Sequence, residues 1–127
     1  MKKYLINGVR KQLEEYNTTT FTAEEDITWY RLDCLLKEQE ETMIKEARDI
    51  VSKARSEGVI FLESGEPDIE KSNKDALQRS NERIAVINNE DIDAKVLPIT
   101  ILNKLKCENG IPSGKYNSLL HMFLKEN

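Results

Sequence analysis

The residues of this chain that could do chemistry are few, and their patterns argue against catalysis. His121 is the one histidine among 127 residues, so serine and cysteine nucleophiles would have to share it as base, and a histidine-rich metal cage cannot form. Its neighbours Leu120 and Met122 suit packing or a surface position, and no Gly-x-Ser-x-Gly elbow occurs. Gly110-Ile111-Pro112-Ser113-Gly114-Lys115 has the outline of a phosphate-binding loop. Three residues separate its glycines where four are required, however, and Tyr116 stands where a serine or threonine would hold magnesium. The segment also follows a helical pattern rather than a strand, which leaves a helix-connecting turn. Carboxylates recur close together, as at Glu38, Glu40 and Glu41 or Asp91 and Asp93, but lysines and arginines are interleaved with them as on a solvated helix face. Cys34 and Cys107 are far apart and sit in helical patterns, which suits buried or semi-buried thiols rather than a disulfide framework. The chain is therefore expected to have no catalytic residue, no metal and no cofactor, and to act by binding.

What it would bind is a question of charge. The net charge of −4 opposes coating of the whole molecule with nucleic acid, but the charge is unevenly spread. Residues 1–21 carry four bases and two acids, and residues 95–127 five bases and two acids, whereas residues 58–94 carry nine acids and four bases. Lys2, Lys3, Arg10 and Lys11 at one end, and Lys104, Lys106 and Lys115 at the other, are the candidate phosphate contacts. The acidic middle, residues 57–93, is the alternative docking surface, facing a basic protein. Trp29 and Tyr30 read as core anchors ahead of an exposed patch.

The elements that would position these groups are helices. Three prolines and five glycines are too few to punctuate many short strands, and the length suits one domain with one core. Leu5, Val9, Leu13 and Tyr16 recur at helical spacing within residues 1–21, before Asn17-Thr18-Thr19-Thr20 breaks the pattern. Thr22-Ala23-Glu24-Glu25 is a capping-box pattern that opens a long helix over 22–57, with Gly58 as its left-handed stop. Leu36, Met43, Ala47, Ile50 and Ala54 keep to one face of it. Unbroken, such a helix is about 50 Å long, more than one short partner covers. Either it breaks near Gln39-Glu40-Glu41, or that strip packs on another copy of the chain.

Val59-Ile60-Phe61-Leu62 and the turn-rich residues after it predict an extended or hairpin segment at 58–71. A helix starts at Ser72-Asn73, with Leu77, Ile84 and Ile87 facing inward. Leu97-Pro98 precedes a helix carried by Ile99, Leu102 and Leu105, and Tyr116, Leu119, Leu120, Phe123 and Leu124 form a final amphipathic one. The reading is all-α, with a long central helix, one short extended segment near 59–68, and a helix-turn-helix-like pair at the end. No stretch approaches the apolar length that spans a bilayer, and the first residues lack the apolar core of a signal peptide, so a cytoplasmic protein is expected.

Four landmarks, taken in order, resemble those of small subunits of bacteriophage terminases. They are Asp26 opening a long charged helix, the exit Ser56-Glu57-Gly58-Val59-Ile60, Asn73 opening the next helix, and Gly110-Ile111-Pro112-Ser113-Gly114-Lys115 before the last. The similarity spans roughly residues 22–118. Lys74 stands where the family has proline, and the late motif is one residue short, with lysine in place of arginine. The resemblance implies a helical, ring-forming subunit that recognises packaging-site DNA and hands it to a large ATPase and nuclease, itself doing no chemistry in the bacterial host.

Overall fold

The computed structural model describes residues 1–16, 18–105 and 120–125. Among them the chain is mainly helical, as expected, with three α-helices: α1 at Ile6–Leu13, α2 at Ala23–Ser56 and α3 at Lys74–Asn88. Extended pairing among these residues is limited to isolated bridges. The chain divides into two compact units, Met1–Glu40 with Asp91–Asn127 and Glu41–Glu90. Helix α2 contributes to both.

Helix α2 starts where the capping box places it. The Thr22 hydroxyl accepts from the Glu25 amide at 3.2 Å, and the Glu25 carboxylate accepts from the Thr22 amide at 2.9 Å, so two amides of the first turn are satisfied reciprocally. Glu24, Glu25 and Asp26 then face the positive end of the helix dipole, and Lys53 and Arg55 the negative end. No glycine or proline occurs from Ala23 to Ser56, so nothing in the backbone invites a break, and the helix passes Gln39-Glu40-Glu41 intact. What changes between Glu40 and Glu41 is the unit to which the helix belongs.

The first unit has the larger core. Ile6, Val9 and Leu13 of α1, Leu32 and Leu36 of α2, and Leu97, Ile101, Leu105, Leu120 and Phe123 from the end of the chain are all buried. Each such aliphatic or aromatic side chain contributes about 1.5–3 kcal/mol. The returning chain is stitched in by backbone pairing. Leu97 donates to the Phe123 carbonyl and accepts from the Lys125 amide, both at 2.8 Å, in a parallel bridge centred on Leu97 and Leu124.

This pairing revises the C-terminal pair of helices expected from periodicity. Ile99–Asn103 forms a 3₁₀ segment rather than an α-helix, which suits a piece this short between Pro98 and the buried Leu105. Leu120 and His121 are helical, but the following residues turn and Leu124 enters the bridge. The i, i+3, i+4 pattern through Phe123 and Leu124 therefore reflects burial, not continued helix. Residues 106–119, which hold Gly110–Lys115, lie outside the described residues.

The second unit covers the far half of α2 with a much smaller core. Ala54 and Ala76 lie against Val59, with Phe61 and Leu77 packed at the edge.

Candidate functional site

Among the described residues, the connection between α2 and α3 is tightly organised. Gly58 has φ +108°, a left-handed conformation that a Cβ would strain. Its amide donates to the Arg55 carbonyl at 3.2 Å and the Val59 amide to the Ala54 carbonyl at 2.9 Å. These are the two bonds of a Schellman stop, completed by the contact of Val59 with Ala54. A Cβ built on Gly58 would lie 3.2 Å from the Asn73 Cβ, so this approach too favours glycine.

From Val59 the chain makes a hairpin excursion of the kind expected at 59–68. Glu63-Ser64-Gly65 is a three-residue loop in which Gly65, at φ +90°, donates to the Leu62 carbonyl, while the Leu62 amide donates to the Glu66 carbonyl at 2.8 Å. Phe61 opposes Pro67, and the Asp68 amide donates to the Ile60 carbonyl at 2.8 Å. The base is closed by the buried Ser72, whose hydroxyl accepts from the Ile60 amide at 2.9 Å and donates to the Ile60 carbonyl at 3.2 Å. The next residue, Asn73, caps α3 by accepting from the Asp75 and Ala76 amides. On the inner side the Arg55 guanidinium lies 5.1 Å from the centre of the Phe61 ring.

A charge clamp binds α3 to the end of α2. Arg79 and Arg83, one helical turn apart, converge on Glu57. Arg79 donates to Oε2 from Nε at 3.0 Å and from Nη2 at 2.8 Å, and Arg83 donates to Oε1 at 3.4 Å. Arg79 holds the Glu57 carboxyl below its ordinary value, with Arg83 assisting and partial burial opposing.

The expected phosphate contacts are, for the most part, engaged within the chain. Lys2 pairs with Asp91 at 3.1 Å. Arg10 pairs with Asp33 at 3.2 Å and Glu40 at 3.6 Å, and Lys104 pairs with Glu25, whose carboxyl it holds below the ordinary value. Lys3 is buried, and Lys11 is exposed on α1. Lys106 and Lys115 lie outside the described residues.

The expected oligomer strip also divides. Leu36 and Ala54 are closed over within the single chain, at 0% and 1% exposure. Met43 and Ala47 line a groove of about 180 Å³ with Ile84 and Ile87 of α3, and Ile50 is half-buried. Leu36 and Ala54 thus find partners in their own chain, whereas Ala47 stays exposed and Met43 and Ile50 half-buried.

His121 is exposed, Cys34 is half-buried and Cys107 lies outside the described residues. Tyr30, 68% exposed, is raised above the ordinary phenol value first by its hydrogen bond with Cys34, the reverse of what a phenolate nucleophile needs. Trp29 is half-buried, edge-on to Tyr16 and Phe21 at 6.0 and 5.7 Å. Among the described residues no group of three or more metal-ligating side chains comes together, and no helix is long and apolar enough to cross a membrane. The chain matches no family model, no curated protein and no solved structure.

Proposed function

We propose that this chain is a non-catalytic adaptor of the small-terminase-subunit kind, which recognises DNA and docks on a larger ATPase and nuclease. One observation carries the reading. The landmarks of the resemblance that fall within the described residues coincide with boundaries of the fold: Asp26 in the first turn of α2, Gly58 in its Schellman stop, and Asn73 as the cap of α3. Two of these landmarks, Gly58 and Asn73, shape the helix–hairpin–helix.

DNA binding in this protein is an exchange of partners. Phosphates would displace Asp91 from Lys2, Asp33 and Glu40 from Arg10, and Glu25 from Lys104, and would meet Lys11 directly. The test is a gel shift on duplex DNA, with retention expected at about 50 mM salt and lost by about 200 mM. Lys11→Glu should weaken it, and Asp33→Asn should strengthen it by releasing Arg10. Absence of a shift at the lower salt would remove the DNA reading. Solution mass tests the ring implied by the resemblance, and a monomer at high concentration would remove that element.

A second reading is favoured by a specific observation. The hairpin between α2 and α3 exposes Ile60, Leu62 and Ile69 in the most acidic stretch of the chain, as a module that docks on a host protein and regulates it would require.

A further inference from the structure

We infer that the outer face of the hairpin, built from Ile60, Leu62, Glu66 and Asp68, is a docking surface for a protein that presents an apolar pocket ringed by lysine or arginine. This inference rests on the second reading and gives it a location. The pairing fixes which side chains share the face. Phe61 and Pro67 oppose each other between the bonds from Leu62 to Glu66 and from Asp68 to Ile60. Successive side chains on each strand point to opposite sides, so Phe61 and Pro67 share one side, and Ile60, Leu62, Glu66 and Asp68 share the other. Phe61 is packed against the core of its unit and stacked by Arg55, so the second side faces away from that core. Ile60 and Leu62 are 47% and 49% exposed there, and Ile69, just beyond, is 67% exposed.

Two features distinguish this face from an ordinary loop with stray aliphatics. It is held rigid, by the Ser72 hydroxyl on both Ile60 groups, by the Gly65 turn and by the fixed φ of Pro67, so ordering it on binding costs little entropy. Its charge also selects the occupant. Residues 62–70 carry Glu63, Glu66, Asp68 and Glu70 and no base. Nucleic acid and an anionic bilayer are repelled by that set. A second copy joined face to face would set Glu66 and Asp68 against their own counterparts. A basic protein surface is the partner that both the aliphatic pair and its carboxylate border fit.

The probe is a synthetic peptide of alternating leucine and lysine, titrated into the full-length ¹⁵N-labelled chain. Expected are saturable amide shifts centred on residues 60–69, and a dissociation constant weakened about tenfold or more by Glu66→Lys with Asp68→Lys, and likewise by Ile60→Ser with Leu62→Ser. Both double variants keep Gly58, Phe61, Pro67 and Ser72; because Asp68→Lys also removes the acceptor of the Lys71 amide, Glu66→Lys alone is measured beside it and should weaken binding in the same direction, and unchanged α3 amide shifts verify the fold. Glu38→Lys with Glu41→Lys on α2 makes the same change in net charge and should leave the affinity unaltered. Equal loss in that control, or shifts spread over every acidic stretch, overturns the inference. Saturable binding centred elsewhere rejects this face while leaving the docking reading intact. Absence of any saturable binding removes both.

Discussion

The two units along α2 solve one problem by different means. In the first, the near half of the helix is covered by large side chains drawn from both ends of the sequence, with Leu32 and Leu36 buried alongside residues such as Ile6, Ile101 and Phe123. In the second, the far half is covered by sequence neighbours with a core centred on two alanines and a valine. Backbone geometry and polar contacts supply what volume does not: the Schellman stop, the Ser72 closure, the Asn73 cap and the clamp of Glu57 with Arg79 and Arg83. A helix too long for one core can thus be finished by a local helix–hairpin–helix that needs little apolar area, provided its turn residues are right.

The contrast is broken most directly at Leu36. Leu36→Ala should cost about 2–5 kcal/mol, measured by urea unfolding, and the loss should not depend on protein concentration because the covering residues belong to the same chain. A penalty that varies with concentration would mean that another copy takes part in that core. In the second unit the sensitive position is a turn. Gly58→Ala should cost about 1–2 kcal/mol from the left-handed backbone alone, and hydrogen exchange should show faster opening of α3 amides than of α1 amides. An equal effect on α1 would mean that the two units unfold as one, and the division into a volume-held and a geometry-held half would fail.

Much of this was legible in the chain itself. The limits of α2 follow from Thr22-Ala23-Glu24-Glu25 and Gly58, and the start of α3 from Ser72-Asn73, because caps and left-handed stops are local rules that need only a few neighbouring residues. What covers a helix is not local. Periodicity assigned Leu36 and Ala54 to an apolar face but could not say which residues would meet it, so intrachain cover was missed. In α3 the pattern marked Leu77, Ile84 and Ile87, while the most deeply buried positions are Ala76 and Ser80, whose small side chains carry little hydrophobic signal. Charge counting is blind to pairing for the same reason. Lys104 finds Glu25 across 79 positions and Lys2 finds Asp91 across 89, so cations that look available in sequence are engaged in space. Leu124 read as helix because its bridge partner, Leu97, is likewise outside its local sequence.

The smallest expected effect sharpens the comparison through pH. Glu57 is held below the ordinary glutamate value of 4.5 chiefly by Arg79, and Glu25 below the same value chiefly by Lys104 with help from the Thr22 amide. A carboxylate with a depressed value in the folded state binds fewer protons there than in the unfolded chain. Its contribution to stability is therefore complete above the ordinary value and is lost as pH falls through the folded value. Acidification from about pH 6 to about pH 3 should lower the urea midpoint by more than surface carboxylates alone would, and Glu25→Gln and Glu57→Gln should each flatten that dependence. The two variants should differ in location: Glu57→Gln should speed amide exchange in α3, because it releases both arginines of the clamp, and Glu25→Gln should speed exchange in the first turn of α2, where the capping box is weakened. If both act on the same set of amides, the ion pairs are not confined to their own units, and the polar clamp is no substitute for the large core that the second unit lacks.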